Sequence, residues 1–234
     1  PFETLYLDEN VKNQPAAALQ LVAKEILHLS DQVKKVLHDT VTVVKENQMQ
    51  GVDKIQEESA KVTKLTDKIT DYLAGLFSSG LLTEQQASQT AGLMYVLGDV
   101  DRIGNLSAGI ALSMKEKETN QYKYSQEAMD ELAKCLKTLE KMFDSATKAL
   151  RGDTTVELEK LMKRKDKIVN LDIMMRKSHI QRVNKGKCKA SLTTPFTNIL
   201  HLIDRMGNSC INLADAATNE VALKYFLPKD EMTM

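Results

Sequence analysis

Residues 96–111 read VLGDVDRIGNLSAGIA, and residues 199–214 read ILHLIDRMGNSCINLA. The two stretches lie 103 positions apart, and six of their sixteen aligned residues are identical. Four more positions exchange Val, Ile, Leu and Met, which preserves their apolar character. Self-similarity at a fixed offset is typical of a duplicated structural unit. The chain is therefore predicted to contain two copies of one unit of common ancestry.

Proline placement and apolar spacing predict that this unit is helical. The 179 residues between Pro15 and Pro195 contain no proline, which suits helix interiors and does not suit β-folds with their frequent turns. Apolar residues recur at steps of three and four in six segments, as they do on one face of a helix. We predict an all-α pseudo-twofold repeat: a tandem pair of three-helix bundles, the first at 15–120 and the second at 121–227. Residues 1–14 lead in, and residues 228–234 form a tail.

Local signals mark several helix ends. Thr83 with Gln86, and Thr154 with Glu157, match the spacing of a capping box at a helix N-terminus. A polar stretch at 115–123 is expected to interrupt the third helix. The third and sixth helices each carry a second apolar seam beside the first, so they are predicted to be central and packed on both sides.

Composition excludes several classes of protein. The 32 basic residues equal the 32 acidic ones, so the formal net charge is zero. Proteins that bind nucleic acid through its phosphates carry a surplus of Lys and Arg, and we therefore expect no nucleic-acid partner. No apolar run approaches the ~20 residues that cross a bilayer. Three widely spaced cysteines predict free thiols rather than a disulfide framework or a zinc site.

The repeated block places an acid and an amide on one helix face. Asp101 and Asn105 are four residues apart, as are Asp204 and Asn208, and side chains at this spacing are neighbours on a helix. Both pairs fall in the second apolar seam, where a carboxylate must be paired, hydrogen-bonded or metal-bound. We expect these polar groups to have specific partners.

The same block contains a glycine and an arginine in each copy. Gly104 and Gly207 lack side chains beside the acid–amide pairs, which predicts the close approach of another helix. Arg102 can pair with Asp99, three residues earlier on the same helix, whereas Arg205 has no acid at the matching position. The motif arginines and glycines are thus expected to have structural roles.

This block resembles the paired ERIGDHA signature of PhoU-type proteins, which are all-α tandem three-helix bundles that regulate phosphate uptake. Residues 179–188, and the YLDE stretch at 6–9 before Pro15, are similar to the PhoU-like cytoplasmic domain that follows the membrane part of bacterial sodium/phosphate cotransporters. The resemblance covers most of the chain. It identifies the lead-in at 1–14 as the connection from an upstream membrane domain.

The resemblance implies a regulatory role without catalysis. The chain is expected to be a cytoplasmic domain at the inner face of the plasma membrane that modulates a sodium-dependent phosphate transporter. Its partner would be the membrane transport domain of the same or another chain, or a second copy of itself. A free-standing PhoU-type regulator is the alternative, and a catalytic bundle protein holding a metal cluster is a second one.

Some PhoU proteins bind metal clusters through acidic motifs on the third and sixth helices. The resemblance therefore makes Asp101, Asn105, Asp204 and Asn208 candidate ligands for a divalent or iron-type metal. No cofactor is certain, because amides stand where the family has its second acid, and an uncharged oxygen is a weaker ligand. Two interpretations remain: a polar pair hydrogen-bonded across the interface between the repeats, or a residual metal or ligand site.

Two further patterns have both an ordinary and a functional interpretation. Glu25 and His28 match the Glu-x-x-His spacing of di-iron bundles, which require a second such motif and further glutamates; a pair on the helix surface is favoured. A basic cluster at 160–167 could meet anionic lipid headgroups, but a solvated helix face is the simpler interpretation.

Overall fold

The computed structural model describes residues 4–119, 123–153, 155–218 and 226. The described residues form six long helices, as predicted, and contain no strand. None of these helices combines the length and the apolar character that crossing a bilayer requires. The helices are α1 (Pro15–Glu46), α2 (Val52–Ser78), α3 (Glu84–Thr119), α4 (Gln126–Leu150), α5 (Leu158–Asn184) and α6 (Thr193–Thr218).

The helix ends match the sequence signals in part. Thr83 and Gln86 form the predicted capping box, in which each side chain accepts a hydrogen bond from the other's backbone N–H at 3.0 and 3.1 Å. The predicted capping box at Thr154 and Glu157 is wrong, since α5 begins at Leu158 with Glu157 itself as its N-cap and with no side-chain cap hydrogen bond. Thr154 lies outside the described residues. The predicted break at 115 is wrong, since α3 continues to Thr119. Polar residues continue a helix readily once one face of it is already packed.

Four of the six helices form the centre of the molecule, and the other two pack on its outside. Helices α1, α3, α4 and α6 contact one another in the centre, where α1 packs on α4 and α3 packs on α6. Helix α2 lies outside against α1 and α3, and α5 lies outside against α4 and α6. The predicted central position of α3 and α6 is confirmed. Because buried apolar residues of all six helices join in one cluster, the two bundles stabilise each other.

Ion pairs border the contact between α1 and α4. They connect half-buried and exposed side chains, so each contributes about 0–1 kcal/mol, and the apolar core is the larger source of stability. The ion pairs are Lys34–Asp144 and Arg151–Asp31 at 3.1 Å, and His38 Nδ1 lies within hydrogen-bond distance of Glu140 Oε2, at 3.0 Å.

Glu25 holds the N-terminal segment against the bundle. Its side chain is fully buried, and Oε1 accepts hydrogen bonds from the backbone N–H of Tyr6 at 3.0 Å and of Leu7 at 3.4 Å. Nearby, the hydroxyl of Tyr72 donates to the carbonyl of Asp8 at 2.8 Å. The expected surface position of Glu25 is therefore wrong, because a segment far from the helix in sequence covers it.

Candidate functional site

In the first repeat, the acid–amide pair connects α3 to α2. Asp101 Oδ1 accepts a hydrogen bond from Thr66 Oγ1 at 3.1 Å, and its Oδ2 accepts one from Asn105 Nδ2 at 3.1 Å. Asn105 Oδ1 in turn accepts from Thr63 Oγ1 at 3.2 Å and from Ser59 Oγ at 3.4 Å. The pair is thus satisfied by hydroxyl groups of the neighbouring helix.

The surroundings of Asp101 disfavour its charge. Burial raises the pKa of Asp101 above its ordinary value of 3.8, and the nearby charge of Asp67 adds to this. The hydrogen bonds from Thr66 and Asn105, and the charge of Arg102, oppose the rise without cancelling it. The hydroxyl and amide partners stabilise the carboxylate less than a full positive charge at hydrogen-bond distance would.

In the second repeat, the acid has a charged partner instead. Lys165 on α5 donates from Nζ to Asp204 Oδ1 at 2.6 Å, and only 13% of the lysine side chain is exposed. Asn208, one turn further along α6, is exposed, as Asn105 is on α3. The predicted position of both amides within an apolar seam is therefore wrong. The two copies of the motif therefore satisfy the same aspartate by different means: neutral hydroxyls in one repeat and an ammonium group in the other.

The motif glycines lie where neighbouring helices come close, α1 and α2 at Gly104 and α5 at Gly207. A Cβ atom at Gly104 would lie 3.2 Å from Val33 Cγ2 and 3.4 Å from Val62 Cγ1, tighter than an ordinary contact. At Gly207 it would lie 3.1 Å from Lys165 Cδ, because the lysine chain crosses this glycine to reach the acid. Val62 and Lys165 are 103 positions apart, so the duplication extends to α2 and α5.

Arg102 forms a polar contact between α3 and α6, and thus between the two repeats. Its Nη1 donates to Asp99 Oδ1 at 2.7 Å, as predicted, and to Ser209 Oγ on α6 at 3.3 Å. Asn212 on α6 donates to the same Asp99 oxygen at 3.4 Å. Arg205, the matching residue in the second repeat, is exposed.

The interface between α3 and α6 is asymmetric in its chemistry. The residues 103 positions from Asp99, Ser209 and Asn212 are apolar ones. A Cβ at Gly109 would lie 3.7 Å from Leu202 Cδ1, which is the apolar counterpart of the Asp99–Asn212 contact. One end of the pseudo-twofold interface is therefore hydrogen-bonded and the other is apolar. The counterparts are Leu202 for Asp99, Leu106 for Ser209 and Gly109 for Asn212.

One interpretation expected the acid–amide pairs to hydrogen-bond across the interface between the repeats. They do not. Asp101 hydrogen-bonds to α2 and Asp204 to α5, so each carboxylate is used inside its own bundle. A metal at Asp204 would have to displace the Lys165 ammonium group, and the pair at Asp101 supplies one carboxylate. These residues do not fit a metal cluster. Among the described residues, no group of three or more His, Cys, Asp or Glu side chains is arranged to hold a metal.

Sequence reasoning missed the partners of both motifs. Ser59, Thr63 and Thr66 recur on α2 at steps of four and three, which was an available signal of one polar face. Lys165 gave no such signal, since a lysine among other basic residues is usually solvated.

The duplication is reflected in a comparison with known families. The sequence model of the PhoU domain matches residues 26–114 and again residues 132–217, once in each repeat. The chain belongs to the PhoU family. This confirms the resemblance that the doubled motif suggested. No protein of curated function matches the chain by sequence.

Two solved structures share the PhoU fold of this chain. PhoU from Pseudomonas aeruginosa superposes with a TM-score of 0.72 at 13% identity, over 84% of this chain and 93% of its own. The phosphate transport system regulatory protein PhoU from Streptococcus pneumoniae gives 0.70 at 16% identity, over 88% of this chain and 95% of its own. At these identities the likeness concerns the fold alone.

Proposed function

We propose that this chain is a PhoU-type regulator of phosphate transport that acts through contacts of its helix faces rather than by catalysis. The observation that carries the proposal is the double match to the PhoU domain, which spans both repeats. The fold shared with the phosphate transport system regulatory protein of Streptococcus pneumoniae supports it. The partner is a membrane phosphate transporter, which places the chain in the cytoplasm beside the membrane.

The free-standing form is the better supported of the two forms considered. The similar solved structures are PhoU proteins, and the chain covers 93% and 95% of their lengths. The alternative, a domain attached to a sodium/phosphate cotransporter, rests on the resemblance of residues 1–14 and 179–188. A reading frame with several membrane-spanning segments upstream of Pro1 is the result that would establish the fused form.

The proposed regulation is tested by phosphate uptake in the native cell. Deleting the gene is expected to change the rate of labelled phosphate uptake in phosphate-rich medium, and expression of the full chain from a plasmid is expected to restore it. The tagged chain should also copurify with a phosphate transporter from solubilised membranes. Unchanged uptake in the deletion strain, under both rich and limiting phosphate, would remove the proposal.

We also propose that the motif residues have structural roles. Asp101 and Asn105 fix α2 against α3, Asp204 fixes α5 against α6, and Arg102 fixes one repeat against the other. The glycines Gly104 and Gly207 permit the close approach. A regulator that acts through helix faces requires such fixed relative positions, because its partner must meet the same surface in every molecule.

A further inference from the structure

The zero net charge of the chain hides a strong separation of charge. Residues 158–189, which comprise α5 and the loop after it, contain eleven basic residues and three acidic ones. The rest of the chain contains 21 basic and 29 acidic residues. One outer helix and the loop after it thus carry a surplus of eight positive charges, and the remainder of the chain carries an equal negative surplus.

The same helix exposes a row of apolar side chains. Its members follow one another at steps of four and seven residues, which keeps them on one side of a helix. The row extends for about 33 Å at the usual rise of ~1.5 Å per residue. Exposed aliphatic side chains are individually ordinary, but several of them on one side of a helix are typical of an interaction surface. The row consists of Leu158 (36% exposed), Met162 (45%), Val169 (41%), Ile173 (49%) and Ile180 (55%).

This row is distinct from the face by which α5 packs on its neighbours. The inner face of α5 is a separate set of buried residues, including Leu161, Ile168 and Met175. The α2 counterparts of Met162 and Val169, 103 positions earlier, are Ser59 and Thr66, which are polar and yet buried.

At Met162 and Val169 the second repeat therefore has exposed apolar groups, whereas the first repeat has covered polar groups at the matching positions. Folding alone favours the opposite distribution, because apolar area is stabilising when it is removed from water. The row on α5 gains its stabilisation only if something else covers it.

We propose that the outer face of α5 is a docking surface for an anionic lipid bilayer. Lysines lie along α5 beside the row, and Lys160 and Lys163 expose 69% and 73% of their side chains. An apolar row with flanking lysines is the pattern of helices that lie in the interfacial plane of a membrane. Lysines near an anionic surface are each attracted to it, and flexible ammonium groups reach headgroups without fixed geometry.

Other occupants match this face less well. A second copy docked through the same face would set lysines against lysines, which is repulsive. Nucleic acid would neutralise the lysines but would leave the aliphatic row without an apolar counterpart, and the row contains no aromatic side chain for base stacking. A bilayer supplies both the acyl chains and the negative headgroups.

The proposal is tested with the purified full chain and lipid vesicles. Cosedimentation is measured with vesicles of phosphatidylcholine alone and of phosphatidylcholine with phosphatidylglycerol, at low and high salt. Binding is expected only to the anionic vesicles, and it should weaken as salt rises. Lys163→Gln with Lys167→Gln should lower the partition coefficient about fivefold per lysine. Ile173→Ser with Ile180→Ser should lower it roughly tenfold or more.

Matched controls are placed on other surfaces of the molecule. Leu81→Ser removes an exposed apolar side chain (51% exposed) between α2 and α3, and Lys64→Gln removes an exposed lysine from α2. Both are expected to bind vesicles like the unmodified chain. The helical content of every variant is checked by circular dichroism. The lysine variants change only exposed side chains, so they test the proposal even if the isoleucine variant fails to fold.

Three results would overturn the proposal. The first is no binding to anionic vesicles at low salt. The second is binding that a folded Ile173→Ser, Ile180→Ser variant retains in full, since this would indicate attraction of charge alone. The third is concentration-dependent dimerisation that the isoleucine variant abolishes, which would assign the row to a second copy. Vesicle binding does not depend on phosphate regulation, so its failure leaves the uptake experiment to decide the proposed function.

Discussion

Lys165 crosses the surface of Gly207 and donates a hydrogen bond to Asp204 Oδ1 at 2.6 Å. In the first repeat the position of Lys165 belongs to Val62, which packs against Gly104. The glycine is thus covered by a valine side chain in one copy and by the aliphatic part of a lysine in the other. A methyl-rich side chain and a lysine stem both fill the space over a glycine, but only the lysine also neutralises the acid.

Divalent metal ions are expected to leave the stability of this protein unchanged. Asp204 is already paired with Lys165, and both oxygens of Asp101 accept hydrogen bonds. A specifically bound ion at 100 times its Kd would stabilise the fold by about 2.7 kcal/mol, so thermal melts with Mg²⁺, Mn²⁺, Zn²⁺ and Fe²⁺ give a clear readout. Stoichiometric metal in protein purified without chelator, lost in Asp101→Ala with Asp204→Ala, would contradict this expectation.

Three glycines within helices should respond differently to alanine. Gly98→Ala meets no atom within 4 Å and should stabilise the fold by about 0.5–1 kcal/mol through helix propensity. Gly104→Ala meets two core valines and should destabilise it by about 1–3 kcal/mol through overpacking. Gly207→Ala meets the flexible stem of Lys165, so its effect should lie between these. Urea unfolding of the three variants measures the order, and an equal effect at Gly98 and Gly104 would refute the close approach.

The two motif arginines should differ in importance. Arg102→Ala removes the main hydrogen-bond donor to Asp99, which is 9% exposed, and should cost about 1–3 kcal/mol because a nearly buried carboxylate loses its partner. Arg205→Ala changes an exposed side chain and should stay within about 0.5 kcal/mol. The free energies of unfolding of the two variants provide the comparison. Equal losses would mean that the interface is more symmetric than its contacts indicate.

Two aspartates should give opposite pH dependences of stability. The pKa of Asp101 is raised by burial, so its contribution to stability is greatest at acid pH and is lost as pH rises through the folded pKa. Burial also raises the pKa of Asp144, but hydrogen bonds from Lys34 and Lys148 outweigh it and hold that pKa below 3.8. The contribution of Asp144 is therefore present at neutral pH and is lost as pH falls through its folded pKa.

The measurement compares each aspartate with its asparagine variant between pH 3 and pH 7. As pH falls towards 3.8, the free energy of unfolding of the unmodified chain should rise relative to that of Asp101→Asn. As pH falls below 3.8, it should decrease relative to that of Asp144→Asn. Parallel curves for the two variants would show that the surroundings assigned to these carboxylates are incorrect.

Glu25 should control the order of the N-terminal segment. Glu25→Ala removes the acceptor for the backbone N–H groups of Tyr6 and Leu7, and amide exchange at these two residues should accelerate about tenfold, as expected for the loss of a hydrogen bond of ~1–1.5 kcal/mol. Glu25→Gln retains a carbonyl oxygen at the same place and should exchange more slowly than the alanine variant. Equal exchange in all three proteins would mean that the segment is held by other contacts.

Features that depend on local spacing could be predicted from the chain itself. The capping box at Thr83 and Gln86 and the pairing of Arg102 with Asp99 involve residues three apart on one helix, so the helix geometry fixes them. The central position of α3 and α6 followed from their second apolar seams. The N-terminal cap of α5 and the continuation of α3 past residue 115 were less predictable, because the ends of helices depend on what packs beside them.

The sequence by itself determined the six helices, the duplication and the family, since periodicity and repetition depend only on the order of residues along the chain. Only the tertiary structure decided which groups satisfy the motif. Thr66 and Asp101 are 35 residues apart, Lys165 and Asp204 are 39, and Arg102 and Ser209 are 107. Such partners are chosen by the relative positions and rotations of packed helices, and these result from the filling of one shared core rather than from any local pattern.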